Sequence, residues 1–217
     1  MVLPVKVCDA KGEEFWGPYL LYLGGWTEDR YFAEAPEMWY VEFADGELIV
    51  HSPVAIRHQD TTAFLFFLLK GYVDAMGIGK VFMGPAVVQL RAGLDYEPDI
   101  FFITNEQVSQ LKEQHFSGAP ALVVEVLSES TRNYDLRVKA LNYQRYGVPE
   151  YWAVDMTRRL LFRHLLSQDS GGSYVVTEFS AGRLESQAAP GFWIDVSWLW
   201  AEPLPGAFEC LRALLNL

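Results

Sequence analysis

Two carboxylates sit where an apolar strand should be uninterrupted. In "EPDIFFI", Asp99 opens the apolar run Ile100 to Ile103, and in "PALVVEVLSES", Glu125 stands inside the run Leu122 to Leu127. A buried carboxylate without a partner costs several kcal/mol, roughly, or takes up a proton instead. If the two strands are neighbours, both acids face one point. Two carboxylates and a backbone carbonyl, here that of Val126, are what a hard cation such as Mg²⁺ or Mn²⁺ takes from a protein while keeping several waters.

A third group follows in "RNYDLRVKALNYQRYG". Asp135, Lys139 and Tyr143 are spaced i, i+4, i+8 and share one helical stripe. Leu136 and Ala140 border it, which puts Lys139 at the margin of the buried face with its ammonium free to extend along the surface. The helix begins soon after the Glu125 strand ends and can fold back over it. That makes Lys139 a candidate partner for Glu125, with Asp135 and Tyr143 in supporting positions. Each residue also has a plain structural reading. Asp99 after Pro98 fits a turn, Glu125 a half-exposed strand, and Asp135 with Lys139 a solvated surface pair contributing about 0.5 kcal/mol.

The elements that must hold these residues can be read from pattern. "TEDRYFAEA" predicts a short helix capped by Thr27. "WYVEFADGELIVHSP" predicts a hairpin turning at Asp45-Gly46. Ala55 to Gly77 predicts the longest helix, ended by Gly77. Strands are expected at Lys80–Met83, Ala86–Arg91, after Pro98, and across Pro120–Leu127. A helix over Arg132–Gly147 has Asn133 as its N-cap and Gly147 as its terminator. "EYWAVD", "RLLFRHLL" and "SYVVTEF" read as three more strands. Strands lead, helices intervene, and the alternation is not strict, so the expected fold is α/β (α+β), a mixed central sheet flanked by helices.

Composition narrows the function. With 217 residues, 51% of them hydrophobic, the chain suits one globular domain over residues 1–217. The longest apolar run, Ala63 to Leu69, is too short for a bilayer, so no membrane partner is expected. The first fifteen residues lack the apolar core of a secretory signal. Cys8 and Cys210 make no disulfide framework, and a cytoplasmic location is the simplest expectation. A formal charge of −11 argues against a nucleic-acid coat protein, though not against a nuclease whose bound cations offset its acids. Trp193, Trp198 and Trp200 in the tail are either core or a self-association surface, and the surplus of large apolar residues there leads us to expect a homodimer.

The block "EPDIFFI … GAPALVVEVLSEST … YDLRVKALNYQRYGVPEYWAVD" resembles the Uma-two family, restriction-endonuclease-like proteins of the PD-(D/E)XK superfamily. "YVEFADGELIVHSP", His58 and "PGFWIDVSWLW" extend the resemblance over Thr27 to Trp200. It implies a restriction-endonuclease-like fold and a Mg²⁺-type site acting on nucleic acid, with DNA the expected polymer. Pro98 and Asp99 match the first motif and Glu125 the second acid. The superfamily's usual lysine position, two residues on, holds Leu127. The family's lysine comes from the next helix and corresponds to Lys139. Glu47 matches a further acidic position, Glu42 is a second candidate, and His58 falls on a family position, otherwise an ordinary helix-surface histidine. The rival readings are a non-catalytic binding or assembly protein on the same fold, and a hydrolase of smaller phosphate esters.

Overall fold

The computed structural model describes residues 18–35, 41–167, 169 and 171–217. In chain order the elements are β1 (Leu20–Gly24), α1 (Glu28–Glu34), β2 (Val41–Ala44), β3 (Glu47–His51), α2 (Ile56–Met76), β4 (Gly79–Met83), β5 (Val87–Arg91), β6 (Leu94–Tyr96) and β7 (Ile100–Thr104). Then come β8 (His115–Ser117), β9 (Leu122–Val126), a π-helical stretch Tyr134–Lys139 that runs into α3 (Ala140–Arg145), β10 (Glu150–Asp155), β11 (Leu160–Ser167), β12 (Ser173–Phe179), β13 (Arg183–Glu185), β14 (Trp193–Asp195) and α4 (Ala207–Leu215).

The expected mixed α+β fold is present, its strands arranged in two six-stranded mixed sheets and a small ribbon. One sheet has the order β1-β3-β2-β6-β5-β8, the other β12-β11-β10-β9-β7-β4, and β13 pairs β14. Most pairs are antiparallel, with β5/β8 and β9/β10 parallel. The second sheet is covered on both faces, which is why β9 and β10 are buried at every position. Side chains alternate across it. Ile100, Phe102, Leu122, Val124 and Trp152 join a core with α2, α4 and the C-terminal segment. Phe101, Val123, Tyr151 and Ala153 face the other way, onto Tyr134, Ala140 and Tyr143 and onto Leu94 and Tyr96 of the first sheet. Glu125 shares the face of Val123, so it looks into the space between the sheets.

Local chemistry explains the ends. Thr27 Oγ1 accepts the Arg30 N–H at 3.2 Å, capping α1. Gly77 closes α2 with φ 64°. Asn133 is not a cap: it is already helical, with φ −71° and ψ −34°. Ser128 does that work, its Oγ accepting the Thr131 N–H at 3.1 Å and its carbonyl the Arg132 N–H at 3.0 Å. At the other end Val148 N–H reaches Tyr143 O and Gly147 N–H reaches Gln144 O, the paired bonds of a Schellman termination, with Gly147 at φ 85°. Trp193, Trp198 and Trp200 pack half-buried against the larger core, so the core reading of the tail holds. Cys210 is a free buried thiol, while Cys8, Trp39 and Tyr40 lie outside the described residues. Among the described residues no helix is long and apolar enough to cross a membrane.

Candidate active site between the two sheets

The register of β7 and β9 creates the first contact. Ile100 lies opposite Val124, so Asp99, one residue earlier, falls beside Glu125. Backbone bonds lock the pair: Asp99 N–H donates to Glu125 Oε2 at 3.2 Å, and Val126 N–H donates to Asp99 Oδ2 at 2.7 Å. Asp99 Oδ1 has no hydrogen-bond partner among the described residues. From α2, His58 Nε2 approaches Asp99 Oδ2 at 3.3 Å.

The π-helical stretch positions the lysine. Such a stretch turns less per residue than an α-helix and often marks a functional site. Here it points Asp135, Lys139 and Tyr143 at the same strand. Lys139 Nζ and Tyr143 Oη both donate to Glu125 Oε1, at 2.8 and 2.9 Å. Lys139 also pairs with Glu42 Oε1 at 2.6 Å and lies 3.6 Å from Asp135 Oδ1. Its ammonium sits 5.5 and 5.6 Å over the rings of Tyr96 and Tyr134. This lysine is not at the margin of the buried face. It is 2% exposed, and Asp135 is 3% exposed, so the solvated-pair reading is excluded.

The first sheet supplies Glu42 and corrects the assignment of Glu47. Glu42 is 1% exposed, accepts the Glu97 N–H at 3.0 Å, and stands 3.3 Å from His51 Nε2. Glu47 is on the same strand face as Ile49 and His51, but it pairs with Ala44 beside the turn and is exposed. Four residues of strand separate it from His51, roughly 13 Å, and it does not line the cavity. The hairpin's acid at the site is therefore Glu42. His51, Glu97, Tyr96 and Tyr134 were not picked out from sequence. Strand alternation could have found His51, which shares the face of Ile49, the residue paired with Glu42.

These groups enclose a cavity of about 40 Å³, room for a water or an ion. Its charges are unbalanced: five acidic side chains, Glu42, Glu97, Asp99, Glu125 and Asp135, line it with the single ammonium of Lys139, which pairs with Glu42, Glu125 and Asp135. Burial, joined by Asp135, Asp99 and Glu42, pushes the Glu125 carboxyl up to about 8 despite Lys139. Burial also raises Asp135. Glu42 goes the other way: burial opposes ionisation, but Lys139 and His51 outweigh it and hold the carboxyl at about 2. Burial pulls His58 down, yet the bond to Asp99, that carboxylate's charge and the Val126 carbonyl carry it above its ordinary value. Lys139, though desolvated, is held charged by Glu125, Glu42 and Asp135.

Among the described residues no three or more His, Cys, Asp or Glu side chains have their ligating atoms gathered for a metal. The donors nevertheless fit a hard divalent cation. They are oxygens, Asp99 keeps one free, Val126 offers a carbonyl beside them, and Mg²⁺ asks for only one or two carboxylates. Glu125 is occupied by Lys139 and Tyr143, which a cation would have to displace.

Comparison with known proteins agrees with this architecture. The chain superimposes on the crystal structure of a putative nuclease belonging to DUF820 from Anabaena variabilis, with a TM-score of 0.64 over 78% of this chain and 94% of that one. At 15% identity the likeness speaks for the fold alone. No curated protein matches the sequence. The family model Uma2, described as "Putative restriction endonuclease", matches residues 29–197. A match over that much of its length makes this chain a member of the Uma2 family.

Proposed function

We propose that the chain is a divalent-metal-dependent endonuclease that hydrolyses phosphodiester bonds, with Mg²⁺ or Mn²⁺ as its cofactor and DNA as the expected polymer. The observation that carries this reading is the locked pair Asp99–Glu125 with Lys139 Nζ 2.8 Å from Glu125, an acid pair and an ammonium at one small cavity. Asp99, Glu125 and the Val126 carbonyl would hold the cation. When bound, the cation supplies Lewis acidity and neutralises charge that builds on the phosphoryl oxygens.

The chain's own residues do the rest. Lys139 is held charged, so it serves as a fixed cation toward a phosphoryl oxygen rather than as a base. Glu42 keeps that ammonium in the site when Glu125 turns to another partner. His58, raised by Asp99, can hold a proton at Nε2 beside the reacting phosphate. Tyr143 and Asp135 fix the geometry of Glu125 and Lys139.

The test is a cleavage screen on DNA and RNA with Mg²⁺ or Mn²⁺, run beside calorimetric titration of the ions. Wild type should bind the ion and cleave, Asp99→Asn and Glu125→Gln should lose both, and Lys139→Met should bind but not cleave. Wild-type protein that binds no divalent ion at millimolar concentration would overturn the reading.

A further inference from the structure

The small cavity opens into a larger pocket of about 510 Å³. The two share Ser52, Val54, His58 and Ser128. The outer pocket has apolar walls from Pro53, Val54, Leu127 and Met156 and carries the hydroxyls of Ser52, Ser128, Ser130 and Thr157. Its volume lies within the range of small-molecule sites. Apolar walls with a few hydroxyls suit an unstacked base and its sugar.

The charge at the mouth argues against a duplex. Duplex binding draws on Lys and Arg that neutralise phosphates. Apart from His58, the pocket's only ionisable side chains among the described residues are Arg57 and Glu129. Arg57 is held by the carbonyls of Leu199 and Ala201, to which it donates at 3.1 and 2.7 Å, and these orient its guanidinium without neutralising it. Near the Met156–Thr157 wall, Arg132 and Arg158 are both tied to Asp155, at 2.8 and 3.3 Å. The chain as a whole carries −11. Among the described residues the cations near this mouth are few, with Arg57 oriented by backbone carbonyls and Arg132 and Arg158 sharing Asp155. A duplex therefore finds no cationic track there, whereas one extruded nucleotide would find a fitted pocket adjoining Asp99 and Glu125.

We infer that the outer pocket seats one unpaired nucleotide next to the scissile phosphate, so that the substrate is single-stranded polynucleotide rather than intact duplex. This rests on the phosphodiesterase reading above. Thr157 is exposed and makes no side-chain hydrogen bond among the described residues, so Thr157→Trp fills the pocket without disturbing the buried cluster.

The test is fluorescence anisotropy with short labelled single-stranded DNA, single-stranded RNA and a blunt DNA hairpin, with and without Mn²⁺, followed by a cleavage gel on the same probes. At least one single strand should bind about tenfold or more tighter than the hairpin, the scale of one base's contacts. Thr157→Trp should remove that advantage while melting at the wild-type temperature. The stronger of the two single strands identifies the sugar. Equal or tighter binding of the hairpin, no binding of any probe, or an unaffected Thr157→Trp would overturn the inference. Single strands bound but left intact with Mn²⁺ would keep the pocket and sink the hydrolysis. Preferential cleavage of the hairpin would do the reverse.

Discussion

Neighbouring strands β9 and β10 each bury a glutamate, and the two are treated in opposite ways. Glu150 is fully buried on the face of the larger core. It accepts four bonds, from Trp152 Nε1 at 2.7 Å, Ser186 Oγ at 2.8 Å, and the Gln187 and Ala188 N–H groups at 2.9 and 2.8 Å. All four donors are neutral and fixed, so Glu150 pins the 186–188 turn to the sheet and has nothing left to offer a ligand. Glu125 lies opposite Ala153, on the other face. Its Oε1 is shared by an ammonium and a phenol, and Lys139 is itself divided between Glu125 and Glu42. Neutral backbone and indole donors make a carboxylate structural. Shared, exchangeable charges beside a cavity leave it able to change partners.

The largest expected effect comes from removing the shared cation. Lys139→Met leaves Glu42, Glu125 and Asp135 without their shared cation, and breaking a buried pair costs about 3–5 kcal/mol. That departs from a lysine at a surface margin, where methionine would be nearly free. Urea unfolding at pH 7 should show the loss, and lowering the pH should recover part of it as the carboxyls protonate. A loss under about 1 kcal/mol would erase the contrast with Glu150. Glu150→Ala ranks next, at about 3 kcal/mol, because it orphans buried N–H and O–H donors at once. Its signature is different: the protein that remains folded should bind Mn²⁺ as wild type does.

The two glutamates also differ in how legible they were. Glu125 stood out because an acid interrupts an apolar strand, and its face followed from the period of two shared with Val123 and Leu127. The helix carrying Asp135, Lys139 and Tyr143 was readable as a stripe, but its π-helical turn was not, since residue spacing alone does not distinguish i→i+4 from i→i+5 bonding. Lys139 looked marginal because only its own helix was in view. The cover over it is the first sheet, through Glu42, Tyr96 and the β2–β6 pairing, and no local pattern announces which sheet packs there. Glu47 was misplaced for a related reason: alternation fixes a face, while distance along the strand needs the turn's position in space. Glu150 went unremarked because its donors come from a turn 36 to 38 residues later.

A pH profile separates the glutamates at smaller scale. Glu125 has its folded carboxyl raised to about 8 from an ordinary 4.5. The folded state therefore holds this proton more tightly than the unfolded chain. The stabilisation is complete below pH 4.5 and is lost as pH rises through 8. In metal-free buffer the melting temperature of wild type, measured against Glu125→Gln, should fall between pH 5 and 9. A flat difference over that window would mean that Glu125 is already ionised, as a purely structural carboxylate would be.

The smallest effect tests whether Tyr143 acts on the charge of Glu125 or only fills space. Its hydroxyl donates to Oε1 at 2.9 Å and so favours the ionised carboxylate. Tyr143→Phe keeps the ring packed against Tyr96 and Tyr151 and removes that one donor. The proton on Glu125 is then held more tightly, because the ionised form has lost a bond. A hydrogen bond to a charged group is worth about 1.5–3 kcal/mol, which sets an upper bound of about two pH units on the shift. Mn²⁺ binding must displace that proton, so its onset should move to higher pH in Tyr143→Phe. The stability loss should also be larger at pH 9, where the carboxylate needs the donor, than at pH 5, where it is neutral. Tyr151→Phe is the control: its hydroxyl donates to the Asp135 carbonyl at 3.3 Å, so its cost should not vary with pH through Glu125. If both variants lose the same stability at both pH values and bind Mn²⁺ with the wild-type onset, Tyr143 is packing alone and Glu125 is tuned by Lys139 and its acidic neighbours without it.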